Sequence, residues 1–169
     1  MKAHVAAFVA ALVAQLAAGV AAAQQEVILV RHAELQGAAA MADAKFIRLS
    51  KDGKARAARL AEILKDSGVA AIYVTDFART RETAVPLSRE LARELTVVPK
   101  GDPRDLVQRM RKEHPGETVL IVGHTDTLPG LIKALGHPAE IRIEPNDYGN
   151  LFVVTPRPEG APGFVRLRY

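Results

Sequence analysis

No cysteine occurs anywhere in the 169 residues. That absence excludes disulfides, a thiol nucleophile and every cysteine-ligated metal site, so packing alone must hold the fold in whatever compartment it occupies. A block of one charge sign is missing too. The chain has 23 Lys and Arg against 19 Asp and Glu, a net charge of +4 spread along the sequence, and this offers no basic stripe for a nucleic acid. Internal repeats are absent, and low complexity is confined to the N-terminal stretch. What remains, 49% apolar and 25% charged, is the composition of one ordinary globular domain with room for a real core.

The N-terminal stretch is set apart from that domain. Lys2 and His4 precede an Ala/Val-rich apolar run from Val5 to Val20, which ends in Ala21-Ala22-Ala23 before Gln24. A basic start, an apolar middle and small residues at the end are the marks of a secretory signal peptide. The run approaches the roughly 20 residues of a spanning helix, but alanine contributes little membrane affinity and no basic stop-transfer cluster follows. The expectation is a leader over residues 1–23, a single domain over 24–169, export to the periplasm or beyond, and no stable membrane insertion after cleavage.

Within 24–169, short β-branched apolar runs alternate with helical periodicity. Glu26 to Val30 reads as a strand buried on both faces, and Leu35 to Phe46 as a loop or irregular excursion. Ser50 offers an N-cap, and Ala57, Leu60, Ala61, Ile63 and Leu64 recur at helical spacing until Gly68. Val69 to Val74 is a second strand. Thr75 and Asp76 are cap candidates for a helix whose apolar stripe is Ala84, Leu87, Leu91 and Leu95.

Thr96 to Pro99 is a brief extended piece. Asp102 and Pro103 then start a third helix running through Met110, and Pro115-Gly116 breaks the pattern. Thr118 to Val122 is another buried strand, followed by a helix lined by Leu128, Leu131, Ile132 and Leu135. Leu151 to Thr155 and Gly163 to Leu167 read as late strands around a Pro/Gly-rich turn. This alternation predicts an α/β fold: a three-layer sandwich with a mostly parallel central sheet and helices on both faces.

In such sheets ligands bind outside the carboxyl ends of the strands. The first strand delivers Arg31-His32 there, the strand TVLIV delivers Gly123-His124, and the second strand delivers Thr75-Asp76 with Arg79 a short step later. Taken singly, each has a bland reading as a solvated loop or a structural histidine. Together, two histidines and two arginines reach one edge of the sheet. Forked guanidinium donors and the free N–H groups of nearby helix starts suit an anion, phosphate above all. His114, in a Pro/Gly turn, and His137, in a Gly-His-Pro loop, lack this placement and read as surface residues.

The segments VILVRHAE, VTDFARTRETA and TVLIVGHTDTLPGLI resemble the three signature segments of the histidine phosphatase family, the phosphoglycerate mutase-like superfamily. LSKDG and the closing YGNLFVV also resemble its small members. The resemblance implies that His32 is a nucleophile forming a phosphohistidine, that Arg31 and Arg79 bind phosphoryl oxygens, and that His124 completes the pocket and stabilises the transition state. It implies hydrolysis of a small-molecule or envelope phosphomonoester with no cofactor and no metal ion, because the arginines and the second histidine bring the positive charge.

The chain departs from the family in the general acid, a glutamate in a region of the mutases that is largely missing here. Asp105 and Asp126 are the candidates, each with a structural alternative as a solvated helix residue or a helix cap. Glu34 follows the Arg-His pair and reads as a group that orders the loop. A mutase is the nearest relative in activity but needs substrate-covering insertions this chain lacks, and a phosphohistidine protein phosphatase is similar in size. From another class comes a catalytically weak phosphate-binding or envelope-interaction protein that retains the pocket. Zinc held by His32 and His124 would lack an obvious third ligand.

Overall fold

The computed structural model describes residues 26–37 and 44–169, so the expected leader and the middle of the loop after the first strand lie outside the described residues. Six strands form one sheet: β1 (Val27–Arg31), β2 (Val69–Thr75), β3 (Leu95–Val98), β4 (Thr118–Gly123), β5 (Asn150–Thr155) and β6 (Gly163–Arg168). Among the described residues four α-helices connect them: α1 (Lys51–Leu64), α2 (Ala78–Glu90), α3 (Pro103–Glu113) and α4 (Leu128–Ala134). The sheet order is β3-β2-β4-β1-β5-β6. The first four strands run parallel, and β5 and β6 add on antiparallel.

Alternation along the strands divides the core in two, because successive side chains leave a strand on opposite faces. Val27, Leu29, Tyr73, Val119, Ile121 and Phe152 pack with Val107 and Met110 of α3 and Leu128, Leu131 and Ile132 of α4. Ile28, Val30, Ile72, Val74, Leu120 and Val122 pack with Leu60, Ala61 and Leu64 of α1 and Ala84 and Leu87 of α2. The sandwich therefore has three layers, as the buried apolar runs predict. Among the described residues no helix is long and apolar enough to cross a membrane.

Local chemistry fixes the helix starts. Ser50 caps α1 by accepting the Gly53 N–H at 3.0 Å, and Asp102 caps α3 by accepting the Arg104 N–H at 2.8 Å, with Pro103 next in line. Gly53 is obligatory for a further reason: a Cβ there would fall inside the contact shell of the Glu34 carbonyl oxygen. The first turn of α1 is thus laid directly on the backbone that follows β1.

Other expectations change. Thr75 and Asp76 do not cap α2; the N-cap is Phe77, which makes no side-chain cap bond. Thr75 is drawn inward to His124 and Thr80, while Asp76 pairs with Lys45. Asp126 does not cap α4, whose N-cap is Thr127. Leu95 is no helix residue either. Ala92 takes a left-handed conformation at φ 50°, the chain turns, and Leu95 opens β3.

The described ends of the loop after β1 form an isolated bridge between Leu35 and Leu49 and a short 3-10 turn at Ala44–Phe46. His114 and His137 are half-buried rather than surface residues. The His114 ring meets Tyr73 edge-on, and His137 stacks on Phe164.

Candidate active site

The chain advances from β1 to β2 to β3 with α1 and α2 on one face, then returns to β4 with α3 on the other. Beyond neighbouring β1 and β4 the chain departs to opposite faces, which opens a crevice at their carboxyl ends. The ladder pairs Arg31 with Gly123, and one more bond, His32 N–H to Gly123 O at 3.0 Å, extends it. His32 and His124 are therefore the first residues past the two strand ends. Their rings meet edge-on with centroids 5.3 Å apart, and they are only 5% and 4% exposed.

Arg31 and Arg79 flank the pair, each laid on an aromatic ring. The Arg31 guanidinium carbon is 4.0 Å from the centre of the Tyr148 ring, and that of Arg79 is 4.3 Å from the centre of Phe77. These rings also wall the histidines, Tyr148 beside His32 at 5.9 Å and Phe77 beside His124 at 5.0 Å. Backbone carbonyls hold the arginines in place. Arg31 Nη1 donates to Glu144 O, Pro145 O and Asp147 O at 3.2, 2.6 and 3.4 Å, and Arg79 Nη1 donates to Ala44 O at 2.7 Å. The Nε atoms of both arginines are buried with no partner. Two guanidinium groups beside two imidazoles are an arrangement that suits an anion.

His32 Nδ1 lies 2.9 Å from Ala33 O. A carbonyl only accepts, so Nδ1 carries the proton and Nε2 keeps its lone pair. Burial pushes the His32 pKa down to about 3, and the charges of Arg79, His124 and Arg31 reinforce the shift against the opposing Ala33 bond. Burial, with Arg79 and Lys100, likewise pushes His124 down to about 4. Both rings are neutral at neutral pH, which for His32 is the nucleophilic form.

The turn after His32 is itself anchored. Thr83 Oγ1 accepts the Ala33 N–H at 3.0 Å and donates to Arg79 O at 2.7 Å, linking the His32 loop to the helix that carries Arg79. Glu34 accepts two-pronged bonds from Arg56 at 2.7 to 3.0 Å and so ties the loop to α1. This is the ordering role its sequence position suggests.

The acid candidates stand differently. Burial raises the Asp126 carboxyl, but its bond to Lys100 at 2.5 Å and that residue's charge outweigh burial and hold it below the usual carboxylate range. Asp105 is exposed in the first turn of α3. No group of three His, Asp or Glu that could hold a metal ion occurs among the described residues.

Sequence reasoning missed Tyr148, Phe77, Thr80, Thr83 and the carbonyls of 144–147. Thr80 and Thr83 lay within a quoted motif, three apart on one helix face. The carbonyl cradle had no sequence signal, because any residue type supplies it.

The family model of the histidine phosphatase superfamily (branch 1) matches residues 27–100, which include Arg31, His32 and Arg79. No curated protein matches the chain. Among solved structures, the protein histidine phosphatase SixA complexed with tungstate has a TM-score of 0.68 at 21% identity over 85% of this chain and 96% of that one. A phosphoserine phosphatase from Entamoeba histolytica, in complex with 3-phosphoglyceric acid, has a TM-score of 0.65 at 16% identity over 86% and 97%. A mycobacterial glucosyl-3-phosphoglycerate phosphatase has a TM-score of 0.62 at 15% identity over 85% and 97%. At such identities these structures speak for the fold alone. The chain is thus similar to the histidine phosphatase superfamily over residues 27–100, β1 to β3, and shares the fold of these phosphatases.

Proposed function

We propose that the protein is a metal-independent phosphatase that hydrolyses phosphomonoesters through a phosphohistidine on His32. One observation carries this reading: the Ala33 carbonyl fixes the His32 tautomer so that Nε2 keeps a lone pair, in a pocket whose two arginines hold buried, unpartnered Nε donors. In the first step Nε2 attacks phosphorus in line and the ester P–O bond breaks. The alkoxide or phenoxide leaves, taking a proton from solvent or an acid. In the second step water attacks the phosphoramidate, the P–N bond breaks, and phosphate departs while His32 regains its neutral form. Arg31, Arg79 and His124 stabilise charge on the equatorial oxygens in both steps.

The ring nitrogens argue against zinc. His32 Nδ1 and His124 Nε2 are engaged by Ala33 O and Thr75, and the remaining nitrogen of His124 has the Arg79 guanidinium 3.4 Å away. A dication would meet that charge head-on. The carboxylates tell on the substrate: Asp126 is held ionised by Lys100, which makes it a poor proton donor, so leaving groups that need little protonation fit this site best.

The test is turnover of a series of aryl and alkyl phosphates, phosphohistidine included, with and without chelator. The proposal expects chelator-resistant hydrolysis with a steep dependence on leaving-group pKa. Tight binding of phosphate or tungstate without turnover of any of them would favour the phosphate-binding, catalytically weak alternative. The leader-like residues 1–23 support a further proposal, that the enzyme works in the periplasm or outside the cell. Protein confined to the cytoplasm with Met1 still attached would refute it.

A further inference from the structure

The histidine that completes the pocket has a partner chain behind it. His124 Nε2 is 2.8 Å from Thr75 Oγ1, and Thr75 Oγ1 is 2.9 Å from Thr80 Oγ1. Thr80 Oγ1 in turn is 3.0 Å from Thr75 O and 2.9 Å from Phe77 O. All three side chains are buried, Thr80 completely. The chain ends on carbonyls, which only accept, so the direction of every proton in it is determined. Thr80 gives its one hydroxyl proton to those carbonyls and must accept from Thr75. Thr75 has then spent its own proton and must accept from His124 Nε2.

A second, separate contact reaches the same result. Arg79 Nη2 is 3.4 Å from His124 Nδ1, and because a guanidinium only donates, Nδ1 must be the bare nitrogen.

We propose that Thr75 and Thr80 are positioning residues that hold the proton of His124 on Nε2, so that Nδ1 alone faces the phosphoryl site and exchanges a proton with it. This rests on the phosphatase reading above. When a phosphoryl group enters, Nδ1 takes up one proton from the substrate monoanion or from solvent, and the imidazolium then donates through Nδ1 to a phosphoryl oxygen while Nε2–H stays on Thr75. The Nδ1 proton returns to phosphate or solvent when the product leaves. No other bond changes. Without the relay the ring could carry its proton on Nδ1 in the resting state, or rotate away from the pocket.

The experiment combines a spectroscopic readout with kinetics. Long-range nitrogen–proton correlation on the ligand-free protein, with the His124 signal identified by its loss in His124→Asn, should show a neutral ring protonated on Nε2. Thr75→Val keeps the shape and removes the hydroxyl. With only the long 3.4 Å Arg79 contact left to hold the proton on Nε2, it should give a mixed tautomer and lower kcat and kcat/KM together by about 10–100-fold, the scale seen when a metal-bound histidine loses its outer hydrogen-bond partner. Thr75→Ser should restore both. A wild-type His124 protonated on Nδ1, or a Thr75→Val enzyme with unchanged tautomer and rate, would overturn the proposal. The tautomer is read without substrate, so a protein that turns over no phosphate ester would sink the phosphatase reading while the relay is still judged by its own signal.

Discussion

Two buried neutral histidines side by side are an acid-labile element, and the lability can be worked out from their shifts. His32 and His124 are held at about 3 and about 4 in the folded protein, against an ordinary value of about 6.5 in the unfolded chain. Folded values below unfolded ones mean that the unfolded chain binds protons the folded one refuses, so stability falls as pH falls. The contribution of the neutral rings is whole above about pH 6.5 and declines at ~1.4 kcal/mol per pH unit per histidine until the folded pKa is reached. By pH 5 the loss is about 2 kcal/mol for each ring, or ~4 kcal/mol for the pair. That is a large share of the 5–15 kcal/mol typical of a domain.

Other groups act in a different window. The carboxyls of Glu34, Asp126 and Asp147 are held below their ordinary range, and they withdraw stability only below about pH 4.5. Urea unfolding followed by circular dichroism at pH 8 and pH 5 should therefore show the loss in the wild type and most of it abolished in His32→Gln/His124→Gln. An equal pH difference in the two proteins would refute the assignment of buried, neutral histidines.

Arg79→Lys keeps the charge but loses the fork that spans Ala44 O and His124 Nδ1 and lies on Phe77; turnover of an aryl phosphate should fall about tenfold to a thousandfold, and near wild-type kinetics would remove Arg79 from the site. Gly53→Ala should destabilise by about 1–3 kcal/mol or more, because the added methyl collides with the Glu34 backbone; a thermal midpoint within a degree of wild type would mean that the approach of α1 to this loop relaxes freely.

Much of the frame was legible in the sequence because its signals are local. EVILV and TVLIV read as strands buried on both faces, and Ser50 and Asp102-Pro103 mark helix starts with bonds the structure contains. The convergence of Arg31, His32, Arg79 and His124 followed from topology, since parallel strands deliver their following residues to one edge. The misreadings arise where a side chain chose a tertiary partner over a local one. Thr75 reads as a cap because threonine caps helices, yet it serves His124 instead. Tyr148 lies 117 positions from Arg31 and meets it only through the antiparallel return of β5, a pairing no local pattern encodes.

The central claim is covalent catalysis at His32, and a trapped intermediate tests it most directly. The full-length enzyme turning over a labelled phosphomonoester should, when quenched without acid, carry a phosphoryl group on His32 that is stable in base and lost in acid, as a phosphoramidate must be. His32→Ala should carry no label and have no activity. A label that survives acid, or an active His32→Ala enzyme, would contradict the account.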